Sequence, residues 1–562
     1  MTTADHNKLG TSRLEKGEYD EAISEFTKAI LSILPDLADA YYKRSLTYRH
    51  KGEYDLAIAD ANKAIEIDAN CAEAYCNRGL AYQRKEQHEL AIDDFSKAIE
   101  LYPDYNEAYY SRGIAYRSKE EYELAIIDFS KAIGLNLVSF KAYYDRGIAY
   151  HCNEEHELAI KDFSKAIELD PNHAEAYYSR GIAHQRKEQY EWAIADFGKA
   201  IELDPNCAGA YYSRGLAYCD KEEYQLAITD FSKTIGLIHN DAQAYYYRGL
   251  AYRKKGENNR AIADATKAIK INPLYAEAYC NRGFAYYSKE EYELAITDFS
   301  KAIEIDSQNA EAYCSRGIAY RKKEEHEPAI VDLSRAIELN PNYAEAYYNR
   351  GFTYYNKGEY DLAIDDFSSA IEMKPTIAEA YYDRGIIYYL REKYELAISD
   401  LSKAIEINPN MAEAYYARGI CHRNREEHEL GVADLSKTIE INPRNAEAYD
   451  KRATIYLAKG EYDLAIADFS ETIKMKPKDA NVYRNRSVAY LNKREFGLAI
   501  ADLTKAIELD PSSAAAYYRR GLVYRDMRKY DLAIVNFKNA AQLTKDPELV
   551  KTVMEEIKNL GG

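Results

Sequence analysis

Apolar residues recur at steps of three and four through most of the chain, which is the spacing of one face of an amphipathic helix. Residues 344–377 read AEAYYNRGFTYYNKGEYDLAIDDFSSAIEMKPTI, with Lys-Gly-Glu-Tyr between two such stretches. We predict helix A over about the first 14 of these 34 positions and helix B over about positions 15–30. Proline at position 32 ends helix B, because it has no N–H to donate and clashes with the preceding turn.

The same pattern returns every 34 residues, which is typical of a repeat architecture. Its clearest marker is a row of evenly spaced glycines: Gly79, Gly113, Gly147, Gly181, Gly215, Gly249, Gly283, Gly317, Gly351, Gly385 and Gly419. Fifteen units of 34 residues follow a first unit that has one extra residue. The predicted units are 3–37, 38–71, 72–105, 106–139, 140–173, 174–207, 208–241, 242–275, 276–309, 310–343, 344–377, 378–411, 412–445, 446–479, 480–513 and 514–547.

The remaining residues, 548–562, predict a capping helix. Asp546 can cap its N-terminus, with Pro547 at the first helical position. One apolar stripe would cover the exposed face of the last unit, as the end of a solenoid requires: Leu549, Val553, Ile557 and Leu560. The first unit is polar on helix A and has His6 in place of the usual Tyr. With both ends capped, we expect a complete array.

Small and large residues alternate at fixed positions of the repeat. Position 8 is mostly Gly and positions 20 and 27 mostly Ala, while positions 4, 11, 17 and 24 are mostly aromatic. This alternation lets two helices interlock at native density. The units resemble tetratricopeptide repeats over residues 3–547, with Tyr where that family often has Trp at position 4. The resemblance implies an all-α fold, an α-solenoid in which antiparallel helix pairs form a right-handed superhelix, with helix A lining the concave face.

Charge and targeting features narrow the partners and the compartment. The formal net charge is −18, so the surface repels phosphate backbones and anionic lipids, which argues against nucleic acid and membranes as partners. The N-terminus has no basic and apolar leader, and no stretch approaches 18 apolar residues. The eight Cys show no C-x-x-C spacing. We therefore expect a cytoplasmic protein with reduced thiols.

No catalytic or metal-binding pattern in the sequence is complete. His88 and His156 each begin His-Glu-Leu-Ala-Ile, but the second histidine of a zinc-protease helix is replaced by Ile92 and Ile160. No phosphate-binding glycine motif and no G-x-S-x-G motif occur, and no unassigned stretch exceeds about 15 residues. The sequence predicts a protein that is not an enzyme and that binds no metal or cofactor.

Arginine at position 7 is the most regular polar feature. It recurs in all fifteen units from Arg44 to Arg520, and position 23 is Asp in fourteen of them and Asn536 in the last. Because the two positions lie on facing sides of helices A and B, we expect a structural Arg–Asp ladder. Two of the expected pairs are Arg282 with Asp298 and Arg350 with Asp366. The alternative is that the arginine row binds an acidic ligand.

The resemblance places position 5 on the concave face, with positions 9 and 12 beside it. Aromatic residues replace smaller or charged ones there in the ninth to twelfth units, which predicts a partner-binding segment: Phe284, Tyr287, Tyr348, Phe352, Tyr355, Tyr382 and Tyr389. Cations at positions 12 and 13 extend this candidate groove: Arg253, Lys254, Arg321 and Lys322. Tyr and Arg together are typical of binding hot spots. The alternative is a merely solvated inner face.

These features predict an adaptor that holds extended or helical peptide segments of other proteins in its concave groove. The carboxylate clamp of the family's chaperone-binding members is not assembled, because position 5 is mostly Tyr and position 2 mostly Glu. A structural or self-associating array is the alternative, since near-identical units form a self-similar surface. RNA binding is disfavoured by the acidic charge and by the lack of a variable base-reading pair.

Overall fold

The computed structural model describes residues 3–31 and 37–561, and within these ranges it contains 33 helices and no strand. The all-α prediction is therefore confirmed. Pro35, which is predicted to end the first helix B, lies outside the described residues. The chain divides into two compact units, Met1–Lys289 and Glu290–Gly562, which we describe separately.

The first unit contains helices α1 to α17. Their bounds are α1 Thr3–Glu15, α2 Tyr19–Leu31, α3 Leu37–Lys51, α4 Tyr54–Ile67, α5 Ala72–Arg84, α6 His88–Leu101, α7 Asn106–Ser118, α8 Tyr122–Gly134, α9 Phe140–Cys152, α10 His156–Leu169, α11 Ala174–Arg186, α12 Tyr190–Leu203, α13 Ala208–Asp220, α14 Tyr224–Leu237, α15 Ala242–Lys254, α16 Asn258–Ile271 and α17 Ala276–Ser288.

The second unit contains helices α18 to α33. Their bounds are α18 Tyr292–Ile305, α19 Ala310–Lys322, α20 His326–Leu339, α21 Ala344–Asn356, α22 Tyr360–Met373, α23 Ala378–Leu390, α24 Tyr394–Ile407, α25 Ala412–Asn424, α26 His428–Ile441, α27 Ala446–Lys459, α28 Tyr462–Met475, α29 Ala480–Asn492, α30 Phe496–Leu509, α31 Ala514–Asp526, α32 Tyr530–Leu543 and α33 Pro547–Asn559.

Odd-numbered helices up to α31 are the A helices of the repeat and even-numbered helices are the B helices. In the second unit, α21 packs along α22 and α22 in turn packs on α23, which is the antiparallel stacking of an α-solenoid. Helix α22 begins at position 17 of its repeat, two residues later than predicted. The reason is Gly358 at position 15, whose φ of +78° turns the chain between the helices.

Close approach of the two helices explains the glycines at position 8. A Cβ built on Gly181 would lie 2.6 Å from the Phe197 ring, which itself is fully buried. Position 20 and position 27 alanines are also fully buried, as Ala363 and Ala370 show. The small side chains of one helix thus make room for the aromatic ring of its partner.

The predicted capping helix is confirmed as α33. The Asp546 Oδ1 accepts a hydrogen bond from the Glu548 N–H at 3.0 Å, so the aspartate caps the helix as expected. Val553 and Ile557 are buried against Phe537 of α32. No helix in the described part of the chain is both long and apolar enough to cross a bilayer.

Candidate functional site

The A helices of successive pairs touch one another within each unit, as α19, α21 and α23 do in the second. We call the surface formed by positions 5, 9 and 12 of these helices the A-helix face. It carries the residues that the sequence predicts as a partner-binding segment. These residues are divided between the two units, and each part is described by itself.

In the second unit, α21 carries three of the predicted aromatic residues on consecutive turns. The Phe352 ring centroid lies 6.3 Å from that of Tyr348 and 6.0 Å from that of Tyr355. All three side chains are half-buried, since they pack against a core that includes Phe367 and Ile387. The rings are therefore held in place and present only part of their surface to solvent.

Helix α23 adds the next two aromatic residues of the same face. Tyr382 and Tyr389 are half-buried against a core that contains Leu401. The Tyr389 ring centroid lies 6.2 Å from that of Tyr394, at the start of α24. The A-helix face of the second unit thus carries five partly exposed aromatic rings on two neighbouring helices.

In the first unit, Phe284 and Tyr287 on α17 are likewise half-buried. The Arg253 guanidinium lies 4.9 Å from the centre of the Phe284 ring, and its Nε donates a hydrogen bond to Asn281 Oδ1 at 2.7 Å. This cation–π contact fixes Arg253 against the protein surface.

Arg321 repeats the cation–π contact in the second unit, where its guanidinium lies 4.9 Å from the centre of the Phe352 ring, but its Nε has no hydrogen-bond partner among the described residues. Both arginines are half-buried, whereas the neighbouring Lys254 and Lys322 are exposed. The predicted cations therefore fall into two classes. The arginines are stacked on aromatic rings, and the lysines extend into solvent.

One acidic residue that contacts this face, Asp383 at position 6, is absent from the residues predicted from the sequence. The Tyr348 hydroxyl donates a hydrogen bond to Asp383 Oδ2 at 3.0 Å. Burial raises the pKa of Asp383 to about 6, while the hydrogen bond from Tyr348 and the charge of Arg321 act in the opposite direction. The sequence signal is an Asp at position 6 that follows a position-5 Tyr by 35 residues.

The Arg–Asp ladder occupies a different part of the molecule, between helices A and B. Arg350 donates from Nε and Nη2 to the two carboxylate oxygens of Asp366 at 2.8 and 2.7 Å. Its guanidinium also lies 5.7 Å from the centre of the Tyr347 ring. Asp366 is 5% exposed, so the arginine already has a buried carboxylate partner, as the predicted structural ladder requires.

A third contact in this ladder is not predicted from the sequence. Arg350 Nη1 donates to the Ser334 hydroxyl of the preceding helix B at 2.9 Å, so one arginine joins three helices. Arg282 of the first unit makes the same contact with Thr266 at 3.0 Å. Asp298 is buried and lies in the second unit, so its pairing with Arg282 stays a prediction.

Comparison with known proteins identifies the repeat. A model described as tetratricopeptide repeat matches 72–105, 140–173, 174–207, 344–377 and 378–411. Others of that description match 107–138, 416–480, 451–514 and 503–535, and one described as TPR repeat matches 46–86, 249–290, 285–323 and 319–358. Together these ranges cover more than half of the chain. The chain belongs to the tetratricopeptide repeat family.

Solved tetratricopeptide repeat structures resemble parts of the chain. YrrB, described as a TPR protein with an unusual peptide-binding site, is 33% identical, with 34% of this chain and 97% of YrrB covered and a TM-score of 0.30. MamA is 33% identical, with 29% and 96% covered and a TM-score of 0.28. The APC/C hetero-tetramer Cut9-Hcn1 is 16% identical, with 87% and 96% covered and a TM-score of 0.33. No curated protein sequence matches the chain.

Tetratricopeptide repeats are a general scaffold for protein–protein interaction, and they are typically non-catalytic. Within the described ranges, no group of three or more His, Cys, Asp and Glu side chains is arranged to hold a metal ion. Membership of this family therefore indicates that the partners of the chain are, in general, other proteins.

Proposed function

We propose that this tetratricopeptide repeat protein is an adaptor that binds extended or helical peptide segments of partner proteins on its A-helix face, around α21 and α23. The observation that carries the proposal is the run of five partly exposed aromatic rings on these two neighbouring helices. A merely solvated face needs no such rings. Polar side chains would cover it at lower cost.

The packing of these rings favours binding. Tyr348 and Phe352 are held by contacts with their own repeat, so little side-chain entropy is lost when a ligand covers them. Tyrosine also offers an apolar ring and a hydroxyl to the same ligand, which is why it is frequent at binding hot spots. The exposed Lys322 follows Arg321 on the neighbouring α19.

The proposal can be tested with peptides selected from a random display library against the full chain. We expect Tyr355→Ala and Tyr389→Ala each to weaken binding of the selected peptides by about tenfold or more, because each removes a ring from the proposed contact surface. Binding is measured by fluorescence anisotropy, with circular dichroism to verify that each variant is folded.

The matched control is Tyr102→Ala, which removes a more exposed tyrosine that follows α6 in the first unit. This substitution should leave peptide affinity unchanged. Failure to select any peptide, or equal binding by the α21 and α23 variants and the parent, would contradict the proposed function.

Self-association is the second candidate, and one observation favours it. Position 19 of the repeat, near the start of helix B, is an exposed apolar residue in two unbroken runs of six repeats each: Leu56, Leu90, Leu124, Leu158, Trp192 and Leu226 in the first unit, and Leu362, Leu396, Leu430, Leu464, Leu498 and Leu532 in the second. Such regular rows on near-identical repeats could contact a second copy.

Sedimentation over a range of concentrations separates the two candidates. For the adaptor, the mass should stay at 64.4 kDa as the concentration rises. For the self-associating array, the mass should rise with concentration, and charged substitutions at Leu124, Leu158 and Trp192 should return it to that of one chain.

A further inference from the structure

Two places in the chain, one in each unit, share the same pairing of a tyrosine with an aspartate. In the first unit, the Tyr110 hydroxyl donates to Asp145 Oδ2 at 2.5 Å. In the second, the Tyr348 hydroxyl donates to Asp383 Oδ2 at 3.0 Å. In each case, the tyrosine is at position 5 of one repeat and the aspartate at position 6 of the next.

The two places differ in how the other carboxylate oxygen is used. In the first unit, Arg117 Nη1 donates to Asp145 Oδ1 at 2.5 Å, which completes an ion pair within the chain. The residue equivalent to Arg117 is Tyr355, which carries no charge. Among the described residues, no Lys, Arg or His nitrogen lies within 4.0 Å of the Asp383 carboxylate, and no donor is bonded to its Oδ1.

The surroundings of Asp383 are aromatic and partly buried. Burial and the nearby Asp383 carboxylate raise the pKa of Tyr382 to about 12, and burial, Tyr360 and Asp383, in that order, raise the pKa of Tyr355. Both hydroxyls are thus within electrostatic range of the one carboxylate. Phe352 stands where the first unit has Ile114, which adds a further ring to this side of α21.

The chain's own charges near Asp383 leave it without a direct partner. Arg321 is held over the Phe352 ring and interacts with Asp383 only through space. Glu379, one turn earlier on α23, adds negative charge. A half-buried carboxylate without an ion-pair partner is unfavourable, so an incoming cation would gain from meeting it.

We infer that Asp383, Tyr355 and Tyr382 form a subsite for an arginine side chain of the bound partner peptide, which takes the place that Arg117 holds over Asp145. This inference rests on the proposed function, because the arginine is supplied by a peptide on the A-helix face. A guanidinium fits both parts of the subsite: its N–H groups match a carboxylate, and its plane stacks on aromatic rings.

The test uses Nα-acetyl-arginine amide as the probe and the full chain as the receptor. Binding is followed by saturation-transfer NMR at millimolar probe concentrations. The neutral isostere Nα-acetyl-citrulline amide and the lysine analogue serve as comparisons. We expect the arginine probe to bind at least about tenfold more tightly than either of them.

Two variants should abolish this preference by different routes. Asp383→Asn removes the charge, and Tyr355→Arg fills the subsite from within the chain, as Arg117 does in the first unit. Asp145→Asn is the matched control. Because Asp145 is already paired, its replacement should leave probe binding unchanged. Circular dichroism verifies that each variant is folded.

The inference is overturned if the arginine probe does not bind, if citrulline or lysine binds equally well, or if Asp383→Asn retains the preference. These outcomes are distinct from failure of the proposed function. If selected peptides bind in a manner that depends on Tyr389 but not on Asp383, the A-helix face binds peptides and only the arginine subsite is wrong.

Discussion

At the scale of single residues, the arginine at position 7 shows how one side chain can connect three helices. Arg350 on α21 donates hydrogen bonds to Asp366 on α22, in the same repeat, and to Ser334 on α20, in the preceding repeat. It also contacts the Tyr347 ring. The Nε, Nη1 and Nη2 groups of Arg350 thus all donate to other residues of the protein. We therefore expect the row of arginines to contribute to the stability of the array rather than to ligand binding.

Replacing Asp366 with alanine should destabilise the α21–α22 pair by about 3–5 kcal/mol, because the guanidinium of Arg350 is left half-buried without its carboxylate. Hydrogen exchange of amides in these two helices measures the loss. Asp366→Asn should cost less, since Asn536 naturally accepts a hydrogen bond from Arg520 at 2.9 Å. Equal amide hydrogen exchange rates in the parent and the alanine variant would show that the ion pair adds nothing to the stability of these helices.

Gly198 marks a natural gap in the same network. It stands where all other repeats but the last have Ser, Thr or Asn, and a Cβ built on it would lie 3.5 Å from Arg214 Nη1, an ordinary contact distance. Gly198→Ser should stabilise α12 and α13 by about 1–2 kcal/mol, from one added hydrogen bond and a better helix former. The measurement is hydrogen exchange of these helices. Gly198→Ala is the control that should supply only the helix-propensity part.

Asp383 predicts a pH dependence of stability with a definite sign. Its pKa is raised from 3.8 to about 6 in the folded chain, so folding favours the protonated form. The destabilisation of the folded state by Asp383 therefore grows as the pH rises from about 4 to about 6, and it reaches at most about 3 kcal/mol above that range. Asp383→Asn should exceed the parent in stability near pH 7, and the difference should shrink near pH 4.5.

Urea unfolding of the parent and the Asp383→Asn variant at the two pH values is the measurement. The groups that interact with Asp383 are Tyr348, Arg321 and Glu379, together with Tyr355 and Tyr382, and all of them are unchanged in the variant. A stability difference that is the same at both pH values would show that Asp383 titrates as an ordinary exposed carboxyl group.

At the scale of helices, the turn between A and B carries a conformational constraint. Position 15 has a positive φ, which Gly358 and Gly256 adopt without strain. Several other repeats have a glutamate there, among them Glu86, Glu120, Glu154, Glu188, Glu222, Glu290, Glu324, Glu392 and Glu426. A left-handed conformation costs an L-residue with a Cβ about 1 kcal/mol.

Glu188→Gly should therefore stabilise the α11–α12 pair by about 0.5–1 kcal/mol. Local hydrogen exchange is again the measurement. The reverse substitution, Gly358→Ala, should destabilise α21 and α22 by a similar amount. If the glycine variant is the less stable one, the added freedom of the unfolded chain outweighs the relief of strain.

Sequence pattern predicts these helices well because its signals are local. The proline at position 32 and the Asp546-Pro547 cap each act within one turn of helix, and the 34-residue spacing repeats the same local pattern along the chain. The start of helix B was predicted two residues early, at position 15 rather than 17. In that repeat position 15 is Gly358, whose φ of +78° places it in the turn; in most other repeats position 15 is a glutamate, a good helix former that gives no sign of its positive φ.

The candidate site was less predictable than the fold. The positions of Phe352 and Tyr355 on one helix face follow from the period, but their half-burial depends on packing against Phe367 and Ile387. Arg321 was predicted as a groove cation, yet it is stacked on Phe352. Asp383 stands out only by comparison with Asp145, because the two residues occupy the same position of the repeat. They differ in the residue 28 positions earlier, which is Arg117 for Asp145 and Tyr355 for Asp383.

At the scale of the whole chain, contacts within each unit join a helix only to its near neighbours. The stability of such an array is approximately a sum over repeats and over the interfaces between adjacent repeats. Substitutions in different repeats should therefore have independent effects, whereas substitutions on either side of one interface should be coupled.

The three-helix contact of the position-7 arginine also bears on how such a chain can change length during evolution. Every partner of Arg180 lies either in its own repeat or in the one before it: Asp196, Ser164 and Tyr177. A duplicated or deleted 34-residue segment therefore recreates the same bonds at each new junction. Recombination between repeats can lengthen or shorten the gene by whole units while every arginine keeps its full set of partners.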